Sequence, residues 1–106
     1  MRNFDIELEE IVLELEKYYE SDLSEAEDSA ENARIKECIF SLIREAHISG
    51  SFEAKEKLLA LLSENVGCQE DIELVEEFSK RLIDEGVLTP MELEKHFSEF
   101  STARWH

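Results

Sequence analysis

Gly50, Gly67, Gly86 and Pro90 are the only glycines and the only proline in 106 residues, and that scarcity of chain-reversing residues restricts the fold more than any other feature. An all-β chain of this length would need many hairpins, each drawing on turn residues of this kind. Helices joined by a few sharp corners need no more than is present. The chain therefore reads as all-α, a single-domain bundle of about five helices spanning about 4–20, 25–47, 52–65, 70–85 and 90–100. Its length suits one domain with one core.

The apolar spacing supports each segment. Phe4, Leu8, Ile11, Leu15 and Tyr18 recur at alternating steps of four and three, with Val12 and Tyr19 widening the stripe. Ile6 and Leu13 fall on the opposite face, bordered by Glu9, Glu10, Glu16, Lys17 and Glu20. In the second segment Ile35, Cys38, Ile39, Leu42, Ile43 and Ala46 share one face while Phe40 points elsewhere, so this helix is expected at the centre with neighbours on two sides. Phe52, Leu58, Leu59 and Leu62 are expected inward on the third helix, with Lys55 and Lys57 in its first turns; Ile72, Val75, Ser79, Leu82 and Ile83 are expected inward on the fourth. Helices three and four are expected to pack antiparallel.

The corners carry recognisable chemistry. Ser24 suits a helix N-cap, with Glu25, Glu27 and Asp28 near the positive end of the helix dipole. Gly50 can take positive φ and Ser51 can cap the helix after it, while Asn65 or Gly67 stops the third helix and Gly86 ends the fourth. Thr89 and Glu92 form a capping box, Pro90 takes the first helical position, and Leu88 and Leu93 form a hydrophobic staple. The stretch from Phe78 to Phe100, around Asp84-Glu85-Gly86-Val87-Leu88-Thr89, resembles the helical hairpin of the bacterial short C-terminal domain family. The resemblance covers about a fifth of the chain and departs from the family at Met91, where an acid is usual. It implies at most an interaction hairpin of no fixed function, and no membership is drawn from it.

Charge points to partners rather than to fold. The formal net charge is -16, and it is unevenly laid out: residues 1–32 hold 12 acids against 2 bases, residues 33–67 hold 5 against 5, and residues 68–106 hold 10 against 4. Two acidic ends flank a neutral middle, a layout that repels nucleic acid and anionic lipid while attracting basic surfaces. No apolar run approaches the ~20 residues of a membrane span, and no basic, then apolar, leader follows Met1. The expected setting is the reducing cytoplasm, with Cys38 and Cys68 as small buried apolar groups rather than a bridge, and Trp105 able to dock the C-terminal tail.

Chemistry finds little support in the residue pattern. The glycines lie in three separate corners, so no phosphate-cradling loop is present. Cys38, His47, Cys68, His96 and His106 lack the paired spacing of a zinc site. Arg44 and Leu93 stand three residues before His47 and His96, which removes the Glu-x-x-His pattern of a di-metal bundle. The acids between Asp22 and Glu31 lack the central glycine of a calcium loop. His47, at a helix C-terminus, reads as a dipole-stabilised surface residue. The expectation is a protein that is not an enzyme and has no cofactor or metal site.

Three binding functions remain. The leading reading is an immunity protein or antitoxin that covers a basic toxin such as a nuclease, because a nuclease presents Lys and Arg to attract phosphate. Ile6, Leu13 and Tyr19 would be its apolar anchors, with Glu9, Glu10, Glu16, Glu20 and Asp22 around them. A competing view has Tyr19 edging the core and Ile6 and Leu13 meeting another helix of the same chain. The second reading is a nucleic-acid mimic using Glu7, Glu10 and Glu14 as a phosphate-like row; the third is a helical adaptor or homodimer. Self-repulsion among the flanking acids disfavours a homodimer and favours a monomer when free. Screening that repulsion should raise the melting temperature as salt is added from low to moderate ionic strength, and a flat calorimetric response would refute it.

Overall fold

The computed structural model describes residues 3–66 and 69–97, and these form five helices with no strand among the described residues: α1 (Phe4–Glu20), α2 (Glu25–Ile48), α3 (Phe52–Glu64), α4 (Gln69–Asp84) and α5 (Pro90–Phe97). Gly67, Cys68, Trp105 and the expected end of the fifth helix lie outside the described residues.

The helix ends follow local chemistry. The Asn3 side chain accepts hydrogen bonds from the Asp5 and Ile6 amides at 3.0 and 3.3 Å, and Ser24 accepts from the Glu27 amide at 3.3 Å. At α5 the Glu92 amide donates to Thr89 Oγ1 at 3.2 Å while the Thr89 amide donates to Glu92 Oε1 at 3.1 Å, a complete capping box. Gly50 and Gly86 both have positive φ, 75° and 78°. Behind each, the following amide reaches back across the last turn, Ser51 to Ala46 O and Val87 to Leu82 O, both at 2.8 Å. Ser51 differs from expectation: its φ and ψ of -88° and 70° give no side-chain cap.

α2 is the central helix, packed by α1, α3 and α4, while α5 packs on α3. The expected direct pairing of α3 with α4 is corrected by this arrangement, because α4 docks chiefly on α2. Phe78 stacks on Phe40 of α2 with ring centroids 5.1 Å apart, and Glu85 accepts from Arg44 of α2 at 2.7 Å. Ile35, Ile39, Ile43, Leu58, Leu59, Leu62, Leu82 and Leu93 are fully buried and form the centre of the core, with Ile11, Leu15, Val75, Val87 and Leu88 around them. Cys38, expected as a buried thiol, is only half-buried at the edge of α2.

Two lysines lie inside the apolar stripes. At 100° per residue Lys36 falls between Ile43 and Phe40, and Lys55 falls between Leu62 and Leu59. Their exposures are 2% and 4%. The Lys36 ammonium donates to Asn32 Oδ1 at 2.6 Å and stands 3.1 Å from Asp71 Oδ1, and the Asn32 amide donates to that same Asp71 oxygen at 2.6 Å. Asp71, at the start of α4, is itself 6% exposed and in phase with Val75, Ser79 and Leu82, whereas Ile72, expected inward, is half-buried. Lys55 donates to the Val87 carbonyl at 2.6 Å, stands 2.9 Å from Glu92 Oε2, and lies 3.2 Å from His47 Nδ1. Val87 and Glu92 face two of its protons, and His47 Nδ1 stands within reach of the third. His47, expected as a dipole-stabilised surface residue, is half-buried and in contact with this lysine.

A buried charge stripped of its partner is costly, whereas an apolar replacement of the whole pair is tolerated. Lys36→Met alone should lower unfolding free energy by about 3 kcal/mol or more, and Lys36→Met with Asp71→Leu should restore most of it. Urea unfolding of the two variants measures this; equal losses in both would show that the pair is not what holds α4 to α2.

Candidate functional site: the outward crest of the first helix

Asn3 caps α1, and its inner face buries Ile11 and Leu15 against the core with Phe4, Leu8 and Tyr18 partly buried beside them. Burial ends there. Val12 and Tyr19, expected to widen the stripe, are exposed at 36% and 62% on the flank that meets α3 only along its margin. Tyr19 instead leans along the end of α3, its hydroxyl donating to Asn65 Oδ1 at 2.7 Å. Phe52, expected inward, is 60% exposed at the first residue of α3, its ring 6.0 Å from that of His47.

On the outer side of α1, Ile6 and Leu13 are exposed at 52% and 55%. No helix of the described chain covers them. Glu9, Glu10, Glu16 and Glu20 are exposed around them, and none has an ion-pair partner among the described residues. Acids nearer the rest of the molecule differ: Asp5 stands 3.6 Å from Lys57 of α3, and Glu14 stands 3.6 Å from Arg34 of α2. Arg34 also binds Glu31, which its hydrogen bond holds below the usual carboxylate range. Two acids of α1 are thus met by bases at its seams with α2 and α3, while the crest keeps its four glutamates beside one exposed lysine, Lys17.

The eight residues singled out from the sequence do not all meet. Ile6, Glu9, Glu10, Leu13, Glu16 and Glu20 share the crest. Tyr19 sits about 130° round the helix from Ile6 and Leu13, and Asp22 lies beyond its end in the exposed connection to α2. Of the row Glu7, Glu10 and Glu14, Glu14 stands 3.6 Å from Arg34 of α2.

The features missed by sequence reasoning lie on the other side of α1. A recess of about 210 Å³ lies among Tyr18, Tyr19, Asp28, Asn32, Asn65 and Asp71. Its polar groups answer one another: Tyr18 with Asp28, Tyr19 with Asn65, and Asn32 with Asp71. Among the described residues no group of three or more His, Cys, Asp or Glu side chains is placed to hold a metal ion. The signal that reveals Lys36 in this network is its phase, since residues three, four and seven further on are Ile39, Phe40 and Ile43.

Tyr18 reports on the network. Burial, then the hydrogen bond and negative charge of Asp28, push its hydroxyl from 10.0 up to about 12; burial and the charge of Asp71 raise Tyr19 as well. A folded value above the unfolded one stabilises the protein below about pH 10, and that contribution is lost as pH rises from about 10 to about 12. Absorbance titration of tyrosinate should show one step near pH 12 that Tyr18→Phe removes; a Tyr18 step at 10 would dissolve the proposed coupling to Asp28. No protein-family model, curated protein or solved structure matches this chain.

Proposed function

We propose that this chain is a non-enzymatic binding module whose acidic α1 crest seats a basic protein, and that it serves as an immunity protein or antitoxin covering a nuclease toxin in the cytoplasm. One observation carries the reading: Ile6 and Leu13, each more than half exposed, stand on a crest whose Glu9, Glu10, Glu16 and Glu20 have no ion-pair partner among the described residues. Aliphatic groups that lose water at an interface supply affinity, and a predominantly acidic field around them supplies rate and selectivity. A nuclease gathers Lys and Arg to hold phosphate, so a carboxylate-rich helix competes for the same surface. No helix of the described residues is long and apolar enough to cross a membrane, which agrees with a partner met in solution.

The crest acts on association before contact. Its field orients an approaching basic patch, and the two aliphatic side chains then hold the complex once water leaves. The same field keeps copies of the chain apart, consistent with a free monomer.

The test begins with affinity capture from the native host, read by mass spectrometry, followed by association kinetics with the captured protein. Glu9→Lys, Glu10→Lys and Glu16→Lys combined should slow association by about tenfold or more at low salt while circular dichroism stays unchanged. An unchanged association rate would remove the crest as the contact surface. Capture of a DNA-binding defence protein would favour the nucleic-acid mimic instead, and capture of a non-basic assembly would favour an adaptor.

A further inference from the structure

Building on the basic-partner reading above, we infer that the element received by α1 is itself a helix: a basic helix lying along the crest, with one aliphatic residue every two turns and Lys or Arg between them. The spacing of the two knobs selects it. Ile6 and Leu13 are seven residues apart on one straight helix and so stand about 10.5 Å apart along its axis. A second helix repeats a face every seven residues at the same ~10.5 Å, so its aliphatic residues can stay in step with both knobs. A strand repeats a face at about 6.6 and then 13 Å, and meets one knob while missing the other.

Charge decides what stands between those aliphatic residues. Glu9 and Glu10 occupy the helix surface between Ile6 and Leu13, one on each side of the line joining them. A partner side chain entering that slot faces two exposed carboxylates with no ion-pair partner among the described residues, which suits a guanidinium or ammonium and repels an acid. Beyond Leu13, Glu16 and Glu20 extend the same condition along one side of the crest toward the end of the helix, while exposed Lys17 stands on the other side and suits an acid or a polar group of the partner there. A second copy of this chain cannot fill the role, because it would bring Glu9, Glu10 and Glu16 against their own kind.

The full chain and its Ile6→Ser/Leu13→Ser variant are titrated against two labelled synthetic peptides by fluorescence anisotropy at low and physiological salt. The first is a helix of about 20 residues, stapled on its outer side, with Leu every seventh position and Lys or Arg in the facing positions between. The second has the same composition and charge with the leucines scattered round the helix. The aligned peptide should bind about tenfold tighter than the scattered one, and the double variant should abolish that difference while remaining folded, since both residues are exposed. Equal, salt-sensitive binding of both peptides would overturn the helical partner and leave a basic partner standing. Failure of both to bind at low salt would overturn both.

Discussion

α2 has to satisfy neighbours on several sides at once, and the rest of the molecule is arranged around how it does so. Its buried arc runs from Leu42 and Ile35 through Ile39 and Ile43 to Phe40, about 160° of helix surface at 100° per residue, wider than one neighbour requires. Lys36 sits inside that arc. An ammonium there is tolerable only with a carboxylate and hydrogen-bond acceptors brought to it, which Asp71 and Asn32 provide at 3.1 and 2.6 Å. The choice of what packs on α2 is thereby narrowed to a helix that carries an acid at the matching height. α4 meets that condition, and its placement there leaves α3 to receive α5.

The same solution occurs a second time. Lys36 is followed by Ile39, Phe40 and Ile43, and Lys55 by Leu58, Leu59 and Leu62, at identical offsets. Each lysine reaches from one helix to an acid of the C-terminal hairpin, Asp71 on α4 and Glu92 on α5. Apolar packing alone holds helices at many rotations of similar energy; a buried ion pair penalises all but the one that closes it. Ser79 marks what this specificity leaves uncorrected, since its fully buried hydroxyl has no hydrogen-bond partner among the described residues, in a position where alanine would fit the stripe.

Legibility in the sequence follows the range of the forces involved. Helix ends were readable because capping is local: Ser24, Gly50, Gly86 and the pair Thr89 and Glu92 act within a few residues. The central place of α2 was readable because Phe40 lies off the main stripe and still has to be buried. What failed was long-range. Val12, Tyr19 and Phe52 have the right period yet stay exposed, because periodicity says which face is apolar and not whether a neighbour reaches that far. Lys36 and Lys55 were passed over because a lysine ordinarily snorkels to water, and only the arrival of α4 and α5 closes that route. On the candidate crest the helical period puts Ile6, Leu13, Glu9, Glu10, Glu16 and Glu20 on one face, as in the structure, whereas Tyr19, grouped with them, is turned about 130° away and Asp22 lies past the helix end.

The saturation of Lys55 carries a consequence for motion. Glu92 uses one oxygen to cap its own helix at Thr89 and the other to meet the Lys55 ammonium, while Val87 in the preceding turn supplies a carbonyl to the same nitrogen. A helix end ordinarily frays independently of its surroundings. Here, release of α5 takes the Glu92 carboxylate from a cation that lies beneath the surface, so α5 cannot open without unsettling α3. The start of α5 is thereby tied to α3, and its local opening is coupled to that of the core beneath it.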